Sequence, residues 1–518
     1  MTTSTMRTML RFPLSAAFVA VLAGCTLMPD YERPAAPIDA AYPSGPAYRS
    51  ANQAAVPPGG VPAADVGWRD FFTDPVLQRV IMLSLQNNRD LRVAALNVEA
   101  ARAQYRIQRS ELFPSVAAGA QESAQRTPAD LSPSGRASTS RSYQVGASVA
   151  SWELDFFGRI RSLNEQALQL YLAQDETRVA TQLSLVSEVA TAYLTLRSDQ
   201  ELLQLTRDTL KSQRDSYELT KQSYDNDIAT ALDLSQAEVS VRTAERNLSQ
   251  FERQVAQDMN ALVLLLGDPL PQDVRAMLES PSALNDSMMP TTLPAGLPSE
   301  LLERRPDIRA AEHQLEAANA NIGAARAAFF PIISLTASAG TASASLGRLF
   351  DGGQGAWSFA PQISIPIFTG GSLQANLDLA KVQKRIEIAN YERSIQSAFR
   401  DVADALAGRG TLDDQIRSQQ LLVQANQRAY DLSEQRFRQG VDSYLNVLDS
   451  QRALYESQQI LVQTRLARLV NLVDLYKALG GGWTEHTVQA QPAGQPQPAS
   501  APASMSGAAA APRQTAAQ

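Results

Sequence analysis

The stretch DLRVAALNVEAARAQYRIQRSELFP, residues 90–114, returns as DIRAAEHQLEAANANIGAARAAFFP at 307–331. Asp90, Arg92, Ala94, Glu99, Ala100, Ala101, Ala103, Arg109, Phe113 and Pro114 each reappear 217 positions later, Asp90 as Asp307 and Pro114 as Pro331. Further on, Tyr217, Leu219, Gln222, Leu232, Leu266 and Gly267 reappear 213 positions later, as Tyr430, Leu432, Gln435, Leu445, Leu479 and Gly480. This period lies far outside the roughly 20 to 50 residues of solenoid repeats. It means one architecture built twice. A length of 518 residues would by itself suggest about three or four domains, and the repeat overrules that reading.

Each copy reads as helix, strand, loop, strand, very long helix, break, long helix. The helix expected from about Leu91 to Leu112 is stopped by Pro114. A long helix starts near Gly158, and Val189, Leu196, Leu203, Leu210, Tyr217 and Tyr224 recur along it every seven residues. A strict seven-residue seam keeps an apolar stripe on a partner helix and winds the pair left-handed. Ile416, Val423, Tyr430 and Phe437 repeat the seam in the second copy. The breaks fall at Asp225 to Thr230 and at Arg438 to Ser443. Their turns are expected at Asp225, Asn226 and Asp227, and at Gln439, Gly440 and Val441. Gly267 and Gly480 stand where helix C-caps belong.

Shorter alternations supply the strands, expected at about 115–122, 142–154, 331–341 and 356–368. Val145, Ala147 and Val149 alternate with Gln144, Gly146 and Ser148, and Ile363, Ile365 and Ile367 with Gln362, Ser364 and Pro366. Trp152, Trp357, Phe359 and Phe368 lie near the ends. Membrane strands with aromatic girdles have this pattern, and so does a half-buried soluble sheet. Four strands cannot close a membrane barrel, and an open edge cannot face lipid.

At the N-terminus, Arg7 and Arg11 precede an apolar run, Leu14 to Val21, that leads into LAGC at 22–25. The run is too short to span a bilayer and has the form of a signal peptide, residues 1–24. It ends at Cys25, the one cysteine of the chain, so no internal disulfide can form. LAGC resembles a bacterial lipobox, which implies cleavage before Cys25, a covalent lipid on its sulfur, and, with Thr26 next, sorting to the outer membrane. The other reading is an ordinary signal beside an incidental cysteine. Loss of Arg7 and Arg11 would move the formal charge from −7 to −9. With lysines and arginines interleaved among carboxylates and no basic stripe, nucleic-acid binding is excluded as a function. The division that follows is signal 1–24, lipid anchor and Pro/Ala-rich strap 25–66, repeat 1 at 67–267, a proline-rich linker 268–298, repeat 2 at 299–483 and a disordered Ala/Pro/Gln tail 484–518.

SWELDFFGR at 151–159, RRPDIRAAE at 304–312, AAFFP at 327–331, IPIFTGG at 365–371, GVDSYLNVLDSQR at 440–452 and YKALGGGW at 476–483 resemble the outer-membrane factors of the TolC superfamily, most of all the lipidated branch typified by OprM and NodT. The resemblance covers about 67–483. It implies an α+β membrane protein: a homotrimer with a 12-stranded β-barrel, four strands per chain, continued by a long α-helical periplasmic barrel. It also implies an exit duct in the outer membrane, working with a periplasmic adaptor and an inner-membrane efflux transporter. A duct for type I protein secretion would share these features; a structural coiled-coil lipoprotein would explain the helices but not the duplicated strands.

Leu445, Asp449 and Arg452 lie at i, i+4 and i+7, on one helix face just after the second break. By resemblance they form the periplasmic gate, with a Leu445 ring narrowing the pore while Asp449 and Arg452 pair. The bland alternative is a surface pair worth about 0.2–0.5 kcal/mol. The first-copy counterparts Leu232 and Gln236 lack the charges. No catalytic or metal-ligand spacing joins His313 or His486 to other candidates, Glu153 and Asp155 read as caps at a strand-to-helix turn, and no cofactor is expected.

Overall fold

The structure, a computed structural model, describes residues 26–48, 61–280, 283–290, 293 and 301–487. The expected signal peptide, Cys25, the middle of the strap, parts of the linker and the tail beyond 487 lie outside the described residues. Repeat 1 forms α1 (Trp68–Phe71), α2 (Pro75–Asn87), α3 (Arg89–Ser110), β1 (Val116–Thr127), β2 (Ser138–Glu153), α4 (Arg159–Asp225) and α5 (Ala231–Leu266). After α6 (Gln272–Glu279), repeat 2 forms α7 (Leu301–Arg304), α8 (Pro306–Ala327), β3 (Ile332–Ser343), β4 (Gly355–Ser364), α9 (Ser372–Arg438) and α10 (Tyr444–Ala478).

The duplication holds at the level of helix ends. α3 and α8 are each 22 residues long, and α4 and α9 each 67, roughly 100 Å at 1.5 Å per residue. Gly267 and Gly480 end α5 and follow α10 with φ of 73° and 83°. At Gly267 a side chain is doubly excluded, since a Cβ would lie 2.5 Å from the Asn87 carbonyl oxygen. That close approach lets Ser84 Oγ and Asn88 Nδ2 donate to the Leu265 carbonyl, tying α2 and α3 to the end of α5.

The heptad seam of α4 behaves as its spacing dictates over its middle. Val189, Leu196, Leu203 and Leu210 are buried, and the first three join a core with Tyr391, Ile395, Val402 and Leu406 of α9. Toward the break the seam thins: Tyr217 is half-buried and Tyr224 is 41% exposed.

The four strands form one antiparallel sheet in the order β1-β2-β3-β4, so the pairing of β2 with β3 joins the two repeats. Register sorts the side chains by chemistry. Val116, Ala118 and Ala120 lie opposite Val149, Ala147 and Val145, and the same face carries Leu335, Ala337 and Ala339 opposite Pro361, Phe359 and Trp357. The other face carries Gly119, Gln121, Gln144, Gly146, Ser148, Ser338, Gly340 and Ser358. One face is apolar and the other small and polar, as a barrel wall between lipid and water requires. Trp357 and Phe359 are 80% and 61% exposed, far more than a soluble monomer leaves open.

Helices follow the same order as strands: α3 packs on α4, α4 on α8 and α8 on α9. β1 and β4, with α3 and α9, are therefore the flanks. Both flanking helices expose apolar stripes, Val93, Leu96 and Ile107 on α3 and Leu379, Val382 and Ile386 on α9.

Several expectations need correction. β1 and β2 run on to Thr127 and back from Ser138, and β3 to Ser343, because ladder hydrogen bonds continue past the apolar band into polar residues such as Gln125 and Arg126. β4 ends at Ser364, before Pro366, which cannot donate to a ladder. A further helix, α2, precedes the one expected from Leu91. The segment read as a bare linker contains α6, which starts after Pro271 and buries Val274 and Leu278. The tail begins later than 484. Trp68 N donates to the Thr484 carbonyl, Arg69 pairs with Glu485, and Thr487 donates to Asp70, so 484–487 clasp α1. Among the described residues no helix is long and apolar enough to cross a membrane.

Candidate functional site

The two long hairpins end in turns with the same backbone. Asp227 and Gly440 are 213 positions apart and both left-handed, with φ of 58° and 70°. Each donates to the carbonyl three residues back, Tyr224 and Phe437, and the next residues, Ile228 and Val441, donate to Ser223 and Arg436. This is the Schellman closure, in which the residue after the C-cap must be left-handed to feed the last open carbonyls. Asp225, Asn226, Asp227, Gln439, Gly440 and Val441 are all exposed.

Side chains then separate the two turns. In repeat 1, Thr230 and Asp233 make a reciprocal capping box at the start of α5: Asp233 N donates to Thr230 Oγ1 and Thr230 N to Asp233 Oδ2. The Thr230 hydroxyl, which donates to Asp233 Oδ2, and then the Thr230 N–H hold the Asp233 carboxyl below its ordinary range. In repeat 2 the position of Asp233 is Asn446, and Ser443 makes no side-chain cap. An ion pair substitutes for it, Arg436 Nε to Asp442 at 2.5 Å, and the guanidinium holds the Asp442 carboxyl low. Repeat 1 has Ser223 and Ala229 at those places.

Tyr444, the first residue of α10, is a packing element beside the tip that pattern reading missed. It is buried with Ala237, Val447 and Leu448, against Tyr217 of α4 and Tyr430 and Phe437 of α9. Burial raises its phenol pKa. The repeat 1 counterpart is Ala231. The repeat 2 hairpin is thus bolted to the repeat 1 hairpin just above the tip, and a tyrosine replacing alanine between copies was the signal that could have found it.

Burial of Val447, Leu448, Gln451 and Leu454 turns one face of α10 into the chain. The opposite face presents Leu445, 48% exposed, together with exposed Asp449 and Arg452. Among the described residues the expected ion pair between the last two does not form, and neither has a salt-bridge or hydrogen-bond partner there. At the end of the molecule Ile228 is 80% exposed, Val441 60%, and the matched Leu232 and Leu445 are also open.

Other singled-out residues are structural. Glu153 takes a bidentate bond from Arg159, and Asp155 accepts from the Arg161 backbone and guanidinium, fixing the turn from β2 into α4. His313 Nδ1 lies 2.8 Å from Gln169 Oε1 and 3.2 Å from Glu316. Among the described residues no cluster of metal-ligating side chains occurs.

The model of the outer membrane efflux protein family matches residues 80–268 and 297–481, one stretch in each repeat. An antibiotic efflux pump outer membrane protein, ArpC of Pseudomonas putida, is 53% identical over 478 residues, 92% of this chain and 97% of the relative. The toluene efflux pump outer membrane protein TtgC of Pseudomonas putida has the same identity and coverage. The open state of the Neisseria gonorrhoeae MtrE outer membrane channel superposes with a TM-score of 0.80 at 41% identity, covering 90% of this chain and all of that one.

Proposed function

The chain belongs to the outer membrane efflux protein family, and on that premise we propose that three copies close one duct whose inner end is shut by the repeat 2 hairpins. It is an outer-membrane exit duct of an efflux pump, reaching into the periplasm. The observation that carries the trimer is the pair of open flanks. Each sheet has two unpaired outer strands, which cannot face lipid. Two copies would give eight strands, whose interior side chains about fill, whereas three give twelve and leave room for a lumen. The small residues of the polar face, Gly119, Gly146, Ser148 and Ser338, widen it further. α3 of one copy then covers the apolar stripe of α9 in the next.

In the trimer the outward face of α10 brings three copies of Leu445, Asp449 and Arg452 toward one axis. The charges that find no partner at home find one between chains, and Leu445 supplies an apolar ring. Exposed Ile228, Val441 and Leu232 at the tips give a periplasmic adaptor its landing surface, and the adaptor links the duct to an inner-membrane transporter. Relatives named for antibiotic and toluene export favour small molecules over secreted protein as cargo. Asp449→Ala with Arg452→Ala should raise single-channel conductance in planar bilayers, and Leu445→Ser should add to it. The outward pair Arg417→Ala with Gln420→Ala should leave conductance unchanged. Parental conductance from intact gate-variant trimers would move the constriction elsewhere.

Cys25 carries the lipid in this reading. Thr26, the next residue, lies against Gly158 at the junction of sheet and helices, where Phe157 stacks on Phe330 with centroids 4.8 Å apart. The strap then runs along α8, with Arg33 and Tyr31 on Glu312 and Asn319 Nδ2 donating to the Pro29 carbonyl. A lipid one residue before Thr26 enters the membrane beside the barrel base. Cys25→Ser should abolish metabolic palmitate labelling; equal labelling of both chains would reject the anchor.

A further inference from the structure

Charge on the paired ladders of β1 and β2 is confined to one face, and it is the apolar face. Between Val116 and Thr127 and between Ser138 and Val149 the charged residues are Glu122, Arg126 and Arg141. By register Glu122 lies opposite Tyr143, Arg141 opposite Ala124 and Arg126 opposite Thr139, in the rows that continue Val116, Ala118 and Ala120. The other face carries Gln121, Ser123, Gln125, Ser140, Ser142 and Gln144 over the same length, and no charge. A water-filled barrel would be expected to do the reverse. Its lumen is wet, whereas an arginine on the lipid side is costly at mid-membrane and tolerated only near an interface.

Height along the sheet explains the choice. Ile333 pairs with Ile363 near the helical end, and Tyr143 pairs with Ser343 near the other. The ten residues from Ile333 to Ser343 cover about 33 Å along a strand, or about 25 Å across a membrane at a tilt near 40°. That is the height of the apolar band of a membrane barrel. Tyr143 therefore stands at the interface, where an amphipathic ring is at home. Arg141 and Arg126 follow about 5 and 10 Å beyond it. Both are exposed, and neither enters an ion pair or a side-chain hydrogen bond among the described residues. With the helices on the periplasmic side, a premise taken from the duct proposed above, this level is the outer leaflet; where the gate lies does not enter.

We propose that Arg126 and Arg141 form, on the lipid side of the β1–β2 hairpin, a docking site for the phosphate groups of an anionic outer-leaflet lipid. A guanidinium presents a planar fork of donors that takes phosphate oxygens two at a time. Diagonal neighbours on adjacent antiparallel strands lie about 7–8 Å apart, so one headgroup can engage both arginines. The apolar rows run without a break into the patch, and a lipid whose chains lie on Val145 and Ala120 brings its phosphates to Arg141. Glu122, level with Tyr143, lies below the phosphates and repels them from sinking further. Repeat 2 has no such site: Ile332–Ser343 and Gly355–Ser364 carry no charge on either face, and the place of Arg126 is taken by Ser343. A closed trimer would wear three patches, one on each repeat 1 hairpin.

Native mass spectrometry of the full-length trimer in neutral detergent, incubated with diphosphoryl lipid A or with its phosphate-free counterpart, reads the site directly. The parent should retain the diphosphoryl form preferentially, up to three molecules per trimer. Arg126→Gln with Arg141→Gln should lower that retention about tenfold or more, and Arg126→Lys with Arg141→Lys should keep part of it. Arg136→Gln with Arg348→Gln removes the same charge from the connecting loops and should leave retention at the parental level. Equal retention of the two lipids by parent trimers would overturn the proposal whatever the variants do. A loss from the loop pair as large as from the strand pair would do the same, since general attraction would then suffice.

Discussion

The tips of the two hairpins share a backbone and differ in almost every side chain that gives a tip its chemistry. Asp227 and Gly440 take the same left-handed turn and close the same carbonyls. Around that turn repeat 1 relies on a local capping box, Thr230 with Asp233, while repeat 2 relies on reach: Arg436 to Asp442, and Tyr444 into α4. The lesson is that duplication preserved what the backbone needs and released what it does not. A hairpin held by its own cap can move as a unit. One bolted through Tyr444 moves only with its neighbour, and Leu445, Asp449 and Arg452, the residues proposed as the gate, sit directly beyond that bolt.

The largest test of this contrast is to remove the bolt. Tyr444→Ala turns repeat 2 into repeat 1 at that position, where Ala231 stands, and empties a buried aromatic site at a cost of about 3 kcal/mol or more. Amide protection over 436–452 should drop toward that of 223–239, and channels should open more readily. Unchanged protection would show that the aromatic cluster does not hold the tip.

A smaller effect is expected from exchanging the turn residues themselves. Nothing lies within 4 Å of a Cβ built on Gly440, so Gly440→Ala meets only the backbone cost of a left-handed residue, about 1–2 kcal/mol. Asp227→Gly should relieve a strain of the same kind, by under about 1 kcal/mol because aspartate tolerates this region. Opposite shifts in the protection of Val441 and Ile228 amides check both. Shifts of the same sign would mean that the two turns are not equivalent in backbone after all.

What could be read from the chain depended on whether its cause was local. The 67-residue helices, their breaks and the capping glycines were legible because heptad spacing, proline exclusion and left-handed turns are properties of short stretches. Strand faces were legible from alternation, but not strand ends, since Thr127 and Ser138 are held by ladder bonds to each other rather than by their own hydrophobicity. The helix α6 hid inside a proline-rich linker because Pro271 can start a helix as well as interrupt one. Thr484 to Thr487 read as tail because four polar residues carry no sign that Gly67 to Asp70 will meet them. For the proposed gate, spacing placed Leu445, Asp449 and Arg452 on one face, and only packing showed that the opposite face of the helix is the buried one.

The sequence by itself determined that one architecture occurs twice, that its helices are long and seamed, and that alternating strands lie between them. Those follow from periodicity, which is written residue by residue. Tertiary structure alone decided that β2 pairs with β3, that the flanks α3 and α9 stay open for other copies, and that Tyr444 ties one hairpin to the other. Each of these joins residues tens to hundreds of positions apart. Packing across the repeats, rather than any nearby pattern, sets their contact.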